Sequence, residues 1–88
     1  MDIKLVDLYR DALQEDGRDM IRFEIADSER LIRLYEKRLK CLRDRDPALA
    51  LVSEGAVELY DQYEQHFIAK LKKLRDTIDA ATFVLNNT

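Results

Sequence analysis

The sequence contains few residues that interrupt a helix or link it covalently. Among its 88 residues there are two glycines, one proline, one cysteine and no tryptophan. A single cysteine excludes an internal disulfide, and no secretory signal precedes the first predicted helix. No apolar run approaches the roughly 20 residues needed to span a bilayer. These absences predict a soluble, intracellular protein, cytoplasmic by default, with no membrane partner.

No charge of one sign dominates the sequence, because the net charge is only -3. The chain as a whole therefore lacks the electrostatic footprint expected for binding nucleic acid or anionic lipid. The one strongly basic run, from Glu36 to Arg45, has no interleaved aromatic residues. We therefore do not expect a nucleic-acid partner.

The residues that most often carry chemistry are also scarce. His66 is the only histidine, and no cysteine or carboxylate precedes it by three or four residues, so we expect a surface or seam-edge side chain. Cys41 lies beside an apolar stripe and is expected to be a packed structural cysteine. Glu58, Asp61 and Glu64 have helical spacing but lack the Glu-x-x-His partners of bundle metal sites. We expect no catalytic, cofactor or metal site, and not an enzyme.

What is abundant is helical periodicity, in a chain that is 47% apolar and 38% charged. Residues 18–44 carry apolar side chains at alternating spacings of three and four, which is typical of a coiled-coil seam. Residues 57–85 repeat this pattern, with Glu64 as its one polar member. Met20, Leu31, Leu34 and Cys41 widen the first stripe. The predicted interface residues are Ile21, Ile25, Ile32, Tyr35, Leu39, Leu42, Tyr60, Phe67, Leu71, Leu74 and Ile78.

Three stop signals divide the chain into three helices. Asp2 can cap a first helix over 2–15, and Gly17 can end it. The Asp46-Pro47 pair ends a second helix, over 18–44, and starts a third, over 47–85. Gly55 is expected to loosen or break the third helix.

The charges along the two long helices predict how they pair. Residues 14–29 are mainly acidic and residues 30–45 mainly basic, whereas the third helix is acidic first and basic from Lys70 to Arg75. An antiparallel pairing would place each block opposite its complement. We predict a single all-α domain: a short N-terminal helix plus a long antiparallel helical hairpin, as a three-helix bundle or coiled coil. Because so short a chain buries a marginal core, we expect a homo-oligomer or a helical protein partner.

A motif in the first helix suggests a family. Leu8, Tyr9 and Arg10, followed by Leu13, resemble the LYR-x-x-L pattern of the LYR-motif proteins, which are mitochondrial assembly factors and respiratory-complex accessory subunits. Ile32-Arg33 and the stretch from Leu51 to Leu59 are similar to further family signatures. The resemblance implies Tyr9 and Arg10 as motif residues, a mitochondrial matrix location, and acyl carrier protein or an acyl chain as the ligand. It further implies a cationic face, formed by Arg30, Arg33 and Lys37.

Two departures from this family bear on the ligand. Asp19 and Glu36 stand where members generally carry aromatic residues that form the acyl-chain tunnel. The stretch from Leu34 to Leu39, with Tyr60 and Tyr63, also resembles the helical domain of GINS replication subunits. The first expectation remains a non-enzymatic interaction or assembly module, with the LYR-like and GINS-like functions as alternatives.

Overall fold

The computed structural model describes residues 1–44 and 54–88, apart from the side chain of Glu54, and contains three helices. These are α1 (Ile3–Asp16), α2 (Arg18–Arg43) and α3 (Glu54–Asn86). No strand occurs among the described residues, so the all-α prediction is confirmed for them. The expected turn at Asp46-Pro47 lies outside the described residues, and so do the turns before Glu54 that Gly55 is expected to loosen or break; the described helix α3 includes Gly55.

The first helix begins and ends at the residues that the sequence marks. The Asp2 carboxylate accepts hydrogen bonds from the backbone N–H groups of Lys4 and Leu5, at 3.0 and 3.4 Å, which confirms the predicted N-cap. Gly17 ends α1 at φ 82°, and its N–H donates to the Leu13 carbonyl. Since α2 starts at the next residue, the two helices are joined through this one glycine.

Contacts between α2 and α3 join the start of one helix to the end of the other. The Arg18 guanidinium donates to the Leu85 carbonyl at 2.9 Å. At the other end of α2, the Arg43 guanidinium pairs with the Glu64 carboxylate at 2.8 Å. The two helices therefore lie antiparallel over the described residues.

The buried core lies where α1 packs against the other two helices. Its members are Val6 and Tyr9 from α1, Ile21 from α2, and Ala80, Ala81 and Val84 from α3. We call this the proximal core, and the end of the molecule that holds it the proximal end. Toward the opposite, distal end, the buried apolar residues of the described part are Leu39 and Leu71. The chain is elongated, at 56 by 20 by 17 Å.

The helix register corrects the predicted pairing of charge blocks. Arg43 does meet Glu64, as complementary blocks require. The basic block of α3, however, lies opposite the basic part of α2, because Arg75 pairs with Glu36 at 2.9 Å and not with residues 14–29. The acidic half of α2 instead lies beside the last three turns of α3, since Arg18 contacts Leu85. Block complementarity therefore holds for only part of the hairpin.

Candidate functional site

The first helix is too short to cover the hairpin on which it packs. With 14 residues, α1 extends about 21 Å, whereas the 33 residues of α3 extend about 50 Å. It covers the proximal end, and no described residues form a third helix on the same side of the distal end. The residues exposed there form the candidate site.

Tyr9 identifies the sides of α2 and α3 that α1 covers. Its hydroxyl interacts with Glu24 on α2 and with Thr77 on α3. The pKa of Tyr9 is raised from 10.0 to about 12, chiefly by burial and also by the hydrogen bond and charge of Glu24, whereas a hydrogen bond with Thr77 lowers it. Tyr9 is thus a buried, neutral phenol at the junction of the three helices.

Helical periodicity extends those two sides into the distal end. Residues 7, 11 or 18 positions apart lie on one side of a helix. Leu31, Tyr35 and Leu42 therefore share a side of α2 with Glu24. On α3, the residues that share a side with Thr77 lie 7, 11, 14 and 18 positions before it. They are Lys70, His66, Tyr63 and Leu59. Because α1 stops short of this level, these side chains flank an uncovered strip between the helices.

The uncovered strip contains a groove of about 420 Å³, which we call the distal groove. It is lined by Lys37, Arg38, Cys41, Leu42, Tyr60 and Phe67. Aromatic contacts order its walls: the rings of Tyr35 and Phe67 lie 5.6 Å apart, and the Arg38 guanidinium lies 5.7 Å from the centre of the Tyr35 ring.

Large apolar side chains next to the groove remain in solvent. Leu59 is 49% exposed and Tyr63 is 48% exposed. Tyr63 follows Tyr60 by three residues and precedes Phe67 by four, so the three rings lie on adjacent turns of α3. The strip therefore presents a continuous apolar surface that the described residues do not cover.

The opposite side of the hairpin is different, because ion pairs cross it. A groove there is lined by Glu36, Leu39, Lys40, Arg43, Asp44, Ile68, Leu71 and Arg75. Both ion pairs between α2 and α3 in the described part, Arg43–Glu64 and Arg75–Glu36, lie along it. Charge on that side is partly neutralised within the hairpin, whereas the distal groove is left with its cations.

The predicted interface residues occupy a range of environments. Ile21, Leu39 and Leu71 are buried, and the other eight are half-buried. Most of the predicted seam thus lies between helices of one chain. Two expectations for the widened stripe are wrong: Met20 is 46% exposed, and Cys41 is exposed on the edge of the distal groove instead of being packed.

The three residues of the tripeptide motif do not share a site. Tyr9 is buried in the proximal core, whereas Leu8 is 58% exposed and Arg10 extends into solvent, 3.8 Å from Asp7. Any three consecutive residues of an amphipathic helix show such a mixture of buried and exposed side chains, because they point in different directions around the helix.

The remaining polar candidates, His66 and Glu64, lie on the surface or at the edge of the helix seam. His66 is exposed, and its ring contacts the neighbouring Phe67 ring at 5.6 Å. Glu64 is half-buried and ion-paired with Arg43. No group of three or more metal-ligating side chains occurs within residues 1–44 and 54–88. In the same part of the chain, no helix combines the length and apolarity that crossing a membrane requires.

The sequence analysis did not identify the residues of α3 on which α1 packs. Ala80 and Val84 lie beside the α3 seam, not in it, and form the surface on which α1 packs. The signal in the sequence is the apolar stripe through positions 80, 81 and 84. Comparisons with known proteins add no family, since no family model, curated protein or solved structure matches the chain.

Proposed function

We propose that this chain is a non-enzymatic helical interaction module that receives a helix in the distal groove. The observation that supports the proposal is the short length of α1, because of which no described helix covers one apolar side of the α2–α3 hairpin at its distal end. A third helix placed there would complete the packing that α1 provides at the proximal end. Either a second copy of the chain or a partner protein can supply such a helix.

The exposed residues have the composition of a helix-binding surface. Tyrosine and phenylalanine are enriched at protein interfaces, since they bury large areas with few rotatable bonds. Tyr60, Tyr63 and Phe67 lie on adjacent turns of α3, and Leu59 extends the same surface. An amphipathic helix would contact such a surface through side chains spaced three and four residues apart.

The test compares two pairs of exposed apolar residues. Leu59→Ser with Tyr63→Ser removes apolar surface beside the distal groove, and Met20→Ser with Phe23→Ser is the control at the proximal end, where exposures are 46% and 67%. The masses of the purified chain and of the complex recovered from native cells are measured by sedimentation. We expect assembly to be lost in the first variant and kept in the second.

Two results would contradict the proposal. One is a wild-type chain that stays monomeric at all concentrations and is recovered from cells alone. The other is equal assembly by both double variants, since binding would then not depend on the distal groove. Circular dichroism of each variant ensures that a lost complex is not an unfolded chain.

An LYR-like assembly factor remains a second proposal, supported by the exposure of Arg33 and Lys37 on α2. Native mass spectrometry distinguishes it from the first proposal. Recovery with acyl carrier protein or a lipid would support it, and recovery with neither would contradict it. A GINS-like subunit would instead be recovered with other replication proteins.

A further inference from the structure

The strongest charge asymmetry of the molecule lies at the level of the distal groove. Residues 30–44, in α2 and its C-cap, and residues 58–75 of α3 contain ten lysines and arginines and five carboxylates, Glu36, Asp44, Glu58, Asp61 and Glu64. The whole chain has 15 cations and 18 carboxylates, so the other residues are strongly acidic. The register of the hairpin causes this concentration, because it sets the basic parts of both helices side by side.

The cations beside the groove have no carboxylate partners in the described part of the chain. Two of the carboxylates of this region are engaged on the opposite side, Glu36 by Arg75 and Glu64 by Arg43. Lys37 and Arg38 line the groove from α2. Lys70 lies on the same side of α3 as Tyr63, seven residues later, and is exposed. The groove thus has an apolar floor between two cationic edges.

On this basis, and resting on the proposed function, we infer that the occupant of the distal groove is an acidic amphipathic helix of a partner protein. Its apolar side would pack on Leu42, Tyr60 and Phe67. Its flanking glutamates or aspartates would pair with Lys37, Arg38 and Lys70. Electrostatic complementarity of this kind selects partners and orients them more than it adds affinity.

The same charges argue against a second copy as the occupant. In a two-fold symmetric dimer formed through this groove, each cationic edge would face its own counterpart. A head-to-tail contact would instead place the acidic proximal end of one copy on the distal groove of the next. Such a contact does not close on itself and would produce open-ended polymers.

The apolar floor also argues against nucleic acid. Leu42, Leu59 and the half-buried Leu31 and Leu34 supply aliphatic surface, which gives no stacking platform for bases. Two of the aromatic rings pack against neighbouring side chains: the Tyr35 ring contacts Phe67 on one side and carries the Arg38 guanidinium on another, whereas Tyr63 stays 48% exposed. A helix with leucine-like side chains matches this surface better than a polynucleotide.

The test uses two synthetic helical peptides with identical leucine faces. One carries glutamates beside the leucines and the other carries lysines at the same positions. Binding of each labelled peptide to the full chain is measured by fluorescence anisotropy. We expect the glutamate peptide to bind about fivefold to tenfold more tightly, since several exposed charge pairs act together. Its affinity should fall as salt is added.

Charge-reversed variants locate the effect. Lys37→Glu with Lys70→Glu should reverse the preference between the peptides. Lys4→Glu with Lys72→Glu makes the same change in net charge and should leave the preference intact, since Lys4 lies on α1 and Lys72 is not on the side of α3 that faces the groove. Both pairs are exposed, so folding should be unaffected, and circular dichroism verifies this.

Several results would overturn the inference. Equal binding of both peptides, with loss in Leu59→Ser plus Tyr63→Ser, would refute the charge requirement but keep the proposed interaction module. Growth of the pure chain into polymers that Lys37→Glu plus Lys70→Glu abolishes would make a second copy the occupant. A single-stranded oligonucleotide that binds through Lys37 and Lys70, when neither peptide does, would replace both proposals with nucleic-acid binding.

Discussion

At the scale of single residues, Tyr9 is the side chain that links all three helices. It is 7% exposed, and its hydroxyl lies between Glu24 of α2 and Thr77 of α3. A buried hydroxyl that loses its partners is costly, whereas one that keeps them adds about 1 kcal/mol to the free energy of unfolding. The helical pattern predicts the burial of Tyr9 but not its partners, because these depend on how α2 and α3 are rotated against α1.

The raised pKa of Tyr9 gives a pH dependence with a definite sign. The ordinary value is 10.0 and the folded value is about 12, so the phenolate is disfavoured in the folded chain. Stability from the neutral phenol is complete below pH 10 and is lost as the pH rises toward 12, because the unfolded chain releases its proton first. At ~pH 11, wild type should have lost about 1 kcal/mol more than Tyr9→Phe.

Urea unfolding of both chains across this pH range checks the prediction. Tyr9→Phe is the matched control, because every other effect of pH acts on both chains alike. Parallel stability curves for the two chains would show that the Tyr9 phenol does not ionise differently on folding.

At the scale of elements, the sequence predicts the three helices but not the register in which α2 and α3 pair. Asp2 and Gly17 fix the ends of α1 by local chemistry, and the apolar period fixes the inner sides of α2 and α3. The pairing of Arg75 with Glu36 could not be predicted from charge blocks, since exposed ion pairs contribute only about 0.2–1 kcal/mol each. Core packing outweighs them and sets the basic parts of the helices side by side.

Docking of α1 depends on the smallest residues of the proximal core. Ala80 and Ala81 are fully buried, which lets α1 and α2 approach α3 closely. Ala80→Leu should therefore overpack the core and lower the free energy of unfolding by about 1–3 kcal/mol. Ala69→Leu makes the same change at an exposed position of α3 and should stay within about 0.5 kcal/mol of wild type.

Thermal unfolding measures both variants, and hydrogen exchange shows which helix responds. Amide protection in α1 should fall most in Ala80→Leu, because its packing surface is displaced. If Ala80→Leu is as stable as Ala69→Leu, α1 does not depend on close approach to this part of α3.

At the scale of the whole molecule, the two ends differ in how much they bury. The proximal end combines three helices and six buried core residues, whereas the described part of the distal end has two helices, with Leu39 and Leu71 as its buried apolar residues. Regions with few buried contacts open more readily. The sequence predicts both apolar seams, but the difference between the ends follows only from the lengths of the three helices.

Native-state hydrogen exchange should resolve this difference. Amides of α2 near Leu39 and of α3 near Phe67 should exchange faster than those near Ile21 and Ala81, by a margin that shrinks when the glutamate peptide is bound. Uniform protection along α2 and α3 in the free chain would show that the molecule opens as one unit and that the distal end is not weaker.

The place where Asp2 begins the first helix has a consequence for design. A chain given a flexible linker and a few turns of acidic helix ahead of Asp2 would carry its own ligand for the distal groove beside Phe67. In such a chain the tethered helix would block partner binding and also raise the thermal stability. Shortening the added helix turn by turn would weaken its competition with a partner helix for the distal groove.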